Sequence, residues 1–378
     1  MIRILHVVGI MDRGGIETWL IHVLRNTDRQ RFRMDFVVDT ESPGDYDQEI
    51  YQMGSNIYNA GSRRSVKFGS RFKQILTEHG PYDIVHSHVN HFNGTVMRLS
   101  KRCCVPMRIS HSHTDTTAKE CKARLGRQMM VRFLHHQDAR HRTYAIAASE
   151  PAAESLFGVH WRQRANCRVL HCGIDLKPFA LDYDRASVRR ELNIPENAWV
   201  IGHVGRLLDV KNHQLILRTF AAISTQAEDA YLLLLGDGPL RADLEKMASA
   251  LGIRNRVNFA GVRNDVPRLL CAALDAFVFP SKFEGLGIAL IEAQAAGLPS
   301  LVSTVVPKEA DVIPRLITRL SIDEDWSQPL LKLRRHVRNR AASYQQILRS
   351  DFGIEGCVSQ LEAIYGQVTE LDPSGGVR

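Results

Sequence analysis

Apolar runs of strand length recur along the first half of the chain, at residues 3–11, 34–40, 82–88, 107–113, 144–149 and 167–173. Amphipathic or charged segments of helical length lie between most of them. Continuous apolar strands alternating with helices predict a parallel sheet covered on both faces. A second series follows at 199–207, 230–238, 257–261, 276–281 and 300–306. Between the two lies DLKPFALDYDRASVRRELNIPENA, polar, with prolines and no strand pattern. The prediction is an α/β chain of two tandem Rossmann-like doubly wound domains with a boundary near residue 180. Ligands of such sheets bind at the carboxyl ends of the strands, and two facing domains would place those ends on the walls of a cleft.

Bulk properties narrow the class. A chain of 378 residues, 44% hydrophobic and 24% charged, has the length and composition of a two-domain globular protein. No apolar run is long enough to span a membrane. The opening MIRILHVVGIMDRGG reads as a first strand rather than a leader, because its apolar run is short and ends in a charged glycine turn. Seven cysteines without framework spacing point to a reducing compartment, and so to the cytoplasm. The net charge of +8 is uneven: residues 99–142 hold ten Lys/Arg against three Asp/Glu, with five histidines. Such a segment suits an anionic membrane surface, a phosphate-bearing substrate or a solvated helix face. Nucleic acid fits poorly, since no zinc finger or RNP-type strand accompanies it.

Chemistry collects at the predicted strand ends. Gly14 and Gly15 follow the first strand and open a helix, a turn that lets backbone approach a phosphate or sugar. Arg206 and Lys211 follow the strand WVIGHVG, and a fork-shaped and a point cation there suit a diphosphate. After AFVFPS comes FEGLGIALIEAQAAG, with Glu284 and Glu292 eight positions apart. On one continuous helix these would lie about 80° apart, off a common face. Gly285 and Gly287 instead predict a loop, with the helix starting near Ile288, Glu284 before it and Glu292 about a turn inside. A glycine-rich loop entering a helix exposes N–H groups that suit phosphate. A solvated acidic pair at a helix start is the competing explanation.

These motifs together resemble the family 4 glycosyltransferases of the two-domain GT-B fold, close to bacterial capsular and exopolysaccharide enzymes. The resemblance rests on E-x7-E (Glu284 to Glu292), on GGxE as Gly14-Gly15-Ile16-Glu17, on Arg206 and Lys211 in VGRLLDVKNH, and on YDIVHSH and CGID; it runs to about residue 366. It implies an acceptor-side domain at 1–180, a nucleotide-sugar donor domain at 181–343, and C-terminal helices at 344–378 that return to the first domain. It implies that Arg206 and Lys211 neutralise a donor diphosphate and that the loop Gly285, Leu286, Gly287 adds backbone donors. Glu292 would hold the ribose hydroxyls, and Glu284 would contact the donor sugar near the reacting face. Transfer would be retaining, with a UDP-linked donor as co-substrate, no metal or other cofactor, and a saccharide or polyprenyl-diphosphate-linked acceptor at the inner face of the plasma membrane.

The resemblance also implies a histidine near the donor sugar, His111 by best alignment or His113 two residues on. A metal centre built on His86, His88, His111 and His113 is the rival, since H-x-H is a usable ligand spacing; the sequence offers no evident carboxylate or thiol to complete it. A nucleotide-binding partner without transfer activity is the alternative function. An oxidoreductase is excluded by the missing G-x-G-x-x-G. The chain departs from the family at Cys172, where asparagine is common, at Gly287, and in the short segment after Glu309.

Overall fold

The computed structural model describes residues 1–117, 120 and 123–370. These divide into two compact units, Met1–Gly173 with Ile354–Arg378, and Ile174–Gly353. The expected boundaries lay near 180 and 344. Ile174 instead receives its backbone bond from within the second unit, donating to Phe352 O at 2.8 Å, and Leu176, Phe179 and Ile347 are buried in that unit's core.

The first unit is a seven-stranded parallel sheet in the order β3-β2-β1-β4-β5-β6-β7, formed by β1 (Ile2–Val7), β2 (Phe32–Val38), β3 (Ile57–Asn59), β4 (Ile84–Ser87), β5 (Met107–Ser112), β6 (Tyr144–Ala147) and β7 (Cys167–Val169). Side chains alternate between the faces of a strand. Ile4 pairs with Ile84 and His6 with His86, and His86 pairs in turn with Ile109. One face thus carries His6, His86, His88, His111 and His113, all buried. Trp19 of the helix Gly15–Asn26 and Tyr365 of the helix Ile354–Gly366 pack against them. The opposite face packs Leu5, Val7, Val37 and Val85 against Phe72, Leu76, Val96 and Met97 of flanking helices.

The second unit has six parallel strands in the order β10-β9-β8-β11-β12-β13, formed by β8 (Trp199–Val204), β9 (Ala230–Leu235), β10 (Val257–Gly261), β11 (Ala276–Phe279), β12 (Ser300–Ser303) and β13 (Ile317–Leu320). Its two faces bury separate apolar layers, one around Phe277, Leu290 and Ile291, the other around Ile201, Phe220 and Trp326. In both units the chain reverses strand order beside the first strand, so β1 and β4, and β8 and β11, flank the points where ligands of such sheets bind. Two strands, β3 and β13, escaped the sequence pattern. Each is an edge strand of three or four residues with no fully buried position, so neither reads as a continuous apolar run.

Candidate active site

The cationic pair and the first glutamate meet in the second unit. β8 ends at Val204, and the loop beyond it holds Arg206 and, in a short 3-10 turn, Lys211. β11 ends at Phe279, and the loop beyond it holds Ser281, Lys282 and Glu284. The loops are joined by Lys282 N–H donating to Val210 O at 2.8 Å. Lys211 Nζ then reaches Glu284 Oε1 at 2.5 Å, and Ser281 Oγ donates to the same oxygen at 2.7 Å. Ser303 of β12 donates to Ser281 O at 2.6 Å and steadies that loop. Arg206 is exposed, and among the described residues its guanidinium has no partner. One cation of the pair is therefore already neutralised by protein, and the other is available to an anion.

Gly287 is the N-cap of the helix Ile288–Ala295, at φ +92°. A Cβ there would come within 3.2 Å of Phe279 and 3.3 Å of Val306, so both conformation and space select glycine. Leu286 sends its side chain into the core, 4% exposed, and leaves only its backbone to the loop. Glu292 is the fifth residue of the helix, as the glycine pattern predicts. Its carboxyl keeps some contact with solvent, yet burial raises its pKa to about 7. Gln294 anchors the same helix through Nε2 to Ala310 O at 2.6 Å and Oε1 to Ile313 N–H at 2.7 Å. The fully buried His203 donates from Nδ1–H to Val278 O, 2.8 Å away, and a Cβ on Gly205 would lie 3.0 Å from its other nitrogen.

In the first unit Gly14 caps the helix Gly15–Asn26. A Cβ on Gly14 would meet only the flexible carboxylate end of Glu17, which folds back over the helix start. Gly15 is exposed.

The histidines form two hydrogen-bonded chains. In one, His6 Nδ1 meets His88 Nε2 at 3.0 Å, His88 Nδ1 meets His113 Nε2 at 2.8 Å, and His113 Nδ1 lies 3.7 Å from Cys172 Sγ. In the other, Tyr365 Oη meets His86 Nδ1 at 2.8 Å and His86 Nε2 meets His111 Nδ1 at 3.1 Å. A neutral imidazole has one N–H and one lone pair, so the bonds within each chain form with the protons pointing one way, while His6 Nε2 and His111 Nε2 at the chain ends are buried without a partner among the described residues. Burial lowers the pKa of His6 and His113 to about 3 and of the other three well below the usual value, which keeps all five neutral. His111 is fully buried; His113, past the end of β5, is 7% exposed.

Nitrogens of His6, His86 and His88, and of His88, His111 and His113, lie within 4.8 Å of one another. His6 is the member the sequence reading passed over; its alternation with Ile4 was the available signal. The bonded rings meet at 8° for His86 and His111, 20° for His6 and His88 and 38° for His88 and His113. Ser281 had no sequence signal, because only the folded loop brings it to Glu284.

Residues 184–345 match the family described as Glycosyl transferases group 1, and residues 13–178 match Glycosyltransferase Family 4. EpsF of Bacillus subtilis, which carries the name of a glycosyltransferase, is 31% identical over 98% of this chain and 98% of its own. The Escherichia coli UDP-Gal:alpha-D-GlcNAc-diphosphoundecaprenol alpha-1,3-galactosyltransferase is 29% identical over 59% of this chain and 58% of its own. Among solved structures, Anabaena Alr3699/HepE in complex with UDP and glucose superposes with a TM-score of 0.78 at 18% identity, covering 97% of this chain and 100% of that one. With a relative matched from end to end and both halves in glycosyltransferase families, the chain belongs to the family 4 glycosyltransferases of the GT-B fold.

Proposed function

We propose that this glycosyltransferase moves a sugar, with retention of anomeric configuration, from a UDP-linked donor to a saccharide or lipid-linked saccharide acceptor in cell-surface polysaccharide synthesis. The observation that carries the proposal is the joined pair of loops after β8 and β11. They set Arg206, Lys211 and Glu284 beside a glycine-capped helix start. A departing nucleoside diphosphate gains negative charge, and preorganised cations and N–H groups are the strongest means of stabilising it. Arg206 would take a phosphate directly. Lys211 would exchange part of its bond to Glu284 for a second, and the backbone of Gly285–Gly287 would add donors. No cofactor is assigned to this step.

In this reading Glu292 accepts from the ribose hydroxyls, and Glu284, freed from Lys211, faces the donor sugar. His111, or His113 beyond it, holds a sugar hydroxyl or phosphate, and Gly14 and Gly15 allow close approach of the backbone. The nucleotide assignment draws support from the UDP bound in the Anabaena structure, and the acceptor class from the Escherichia coli relative named for a diphosphoundecaprenol substrate. Work at the inner face of the plasma membrane follows from that acceptor.

The test is calorimetric titration of the full chain with UDP, GDP and ADP, beside the Glu292→Ala variant, followed by turnover of the matching nucleotide sugars. The proposal expects UDP to bind, Glu292→Ala to weaken it, and a UDP-sugar to be consumed. Tight UDP binding with no turnover of any UDP-sugar would make the chain a nucleotide-binding partner instead. Absence of UDP binding would overturn the donor assignment.

A further inference from the structure

The basic segment predicted from charge alone has a definite shape in the first unit. Lys119 and Lys122 lie outside the described residues; the rest is carried mainly by two helices, Asn93–Arg102 and Leu125–His141. Arg98, Lys101 and Arg102 stand at i, i+3 and i+4 on the first, and Gln137 and His141 at i and i+4 on the second. These five side chains line a groove of about 520 Å³. Among the described residues no acidic side chain lines it. Arg98 Nε and His141 Nδ1 are enclosed without a hydrogen-bond partner. Burial and then the neighbouring cations Lys101, Arg140, Arg108 and Arg98 lower the pKa of His141, so the groove sits in a positive field. Arg98 Nε–H, an unpartnered donor in a positive field, calls for an anion with oxygen acceptors, whereas neutral His141 donates from Nε2–H to Gln137 Oε1 and keeps Nδ1 as a lone pair.

A second feature continues from the groove. On the helix Leu125–His141, the residues Leu125, Met129 and Phe133 precede Gln137 and His141 at intervals of four, each step turning about 40° around the axis. Leu125, Met129, Met130 and Phe133 are each more than half exposed. Their neighbours Arg124 and Arg132 are exposed as well. The helix's one acid, Asp138, is buried and paired with Arg142. Scattered apolar residues on a surface need no explanation, but four on adjoining turns, rimmed by arginines and leading to a cationic groove, form a patch.

We propose that this face docks on an anionic phospholipid bilayer. Met129, Met130 and Phe133 enter the boundary between headgroups and acyl chains, and the Arg98–Lys101–Arg102–His141 groove holds a lipid phosphate. Charge complementarity selects this occupant over a protein partner: among the described residues Arg98, Lys101, Arg102, Arg124 and Arg132 have no acidic partner, Glu120 being taken up by Arg127, and apolar insertion beside Lys/Arg is the interfacial mode of binding. The docking deepens the proposed acceptor class and rests on it only for the choice of leaflet.

The test is flotation of the full chain with vesicles of phosphatidylcholine alone or mixed with phosphatidylglycerol, at low and physiological salt. The expected result is binding to the mixed vesicles only, weakened by salt. Lys101→Glu with Arg102→Glu should lower partitioning about tenfold or more. Met129→Ser with Phe133→Ser should lower it comparably while leaving the salt dependence in place. Melting temperatures and UDP titration of each variant report that the fold and donor domain are intact. Equal binding to neutral vesicles, no binding to either, or wild-type partitioning by both variants overturns the proposal. Release by inorganic phosphate at equal ionic strength would make the groove a free-phosphate site, and self-association through Phe133 would make the patch an interface between copies. UDP binding is read separately, so loss of the donor reading and loss of the docking face are distinct outcomes.

Discussion

Lys211 Nζ lies 2.5 Å from Glu284 Oε1, and both side chains are largely shielded from solvent. Lys211 is thus held against a carboxylate of the same unit. In the proposed function an incoming diphosphate would compete with Glu284 for Lys211 and so release the carboxylate toward the donor sugar.

This pairing separates binding from transfer. Lys211→Ala is expected to weaken UDP about ten- to hundredfold, the range of one charge-assisted bond. Glu284→Gln keeps the shape but relaxes the hold on Lys211, so UDP affinity should stay within a few-fold of wild type or improve. Turnover of the UDP-sugar should still fall about a hundredfold, as for loss of one positioned polar group. Calorimetry and steady-state kinetics on both variants check the split, and equal losses of binding in both would contradict it.

In the proposed ribose-holding role, Glu292 would give UDP binding a pH dependence. Its carboxyl releases a proton near pH 7 instead of about 4.5, because burial disfavours the charge. Ribose hydroxyls donate best to the ionised form, so UDP binding should release a proton and strengthen from about pH 6 to about pH 8. Glu292→Gln should flatten that component of the profile. The same shift acts on stability in the opposite sense: the folded state holds the proton more tightly, so this group's contribution falls as pH rises from about 4.5 through about 7. Glu292→Gln is expected to raise the melting temperature most above pH 7.

The histidine chains bias the first unit against acid. His6 and His113 titrate near 3 when folded and near 6.5 when unfolded. The unfolded chain thus takes up protons first, and stability is lost as pH falls from about 6.5 toward about 3. Each histidine contributes a slope of about 1.4 kcal/mol per pH unit within that window. Urea midpoints measured from pH 7 to pH 4.5 should decline steeply. His6→Phe, which removes one end of a chain, should make the decline shallower. A midpoint independent of pH in both proteins would show that the rings are already charged or solvated.

Gly287→Ala tests the loop that would supply the backbone donors in the proposed function. The φ of +92° and the approach to Phe279 and Val306 should cost about 1–3 kcal/mol. The melting temperature should fall and UDP affinity with it, since relief of the strain must move Leu286 or the helix start. Gly15→Ala, at an exposed position in the first turn of a helix, should leave the melting temperature nearly unchanged.

Most of the scaffold was legible because a strand buried on both faces must be apolar along its length. β1, β2, β4, β8, β9, β11 and β12 announce themselves in this way. β3 and β13 did not, because an edge strand is covered on fewer sides and its sequence is freed from that demand. The domain limits were readable only to within several residues. Whether Ile174 and Phe352 pair is a contact between positions 178 apart, and no local pattern records it.

The sequence by itself determined the chain's class, its glycine-capped helix starts and the residue types offered at each strand end. Burial periodicity and φ preferences are local properties and are written in local runs. The tertiary structure decided which of those groups are available. It joined Lys211 to Glu284 while leaving Arg206 exposed, added His6 to the other histidines as a neutral stack, and gathered the basic segment into a groove beside an apolar ridge. The reason is physical: partnership, desolvation and field depend on distances across the fold, and these are set only when separate strands and helices come together.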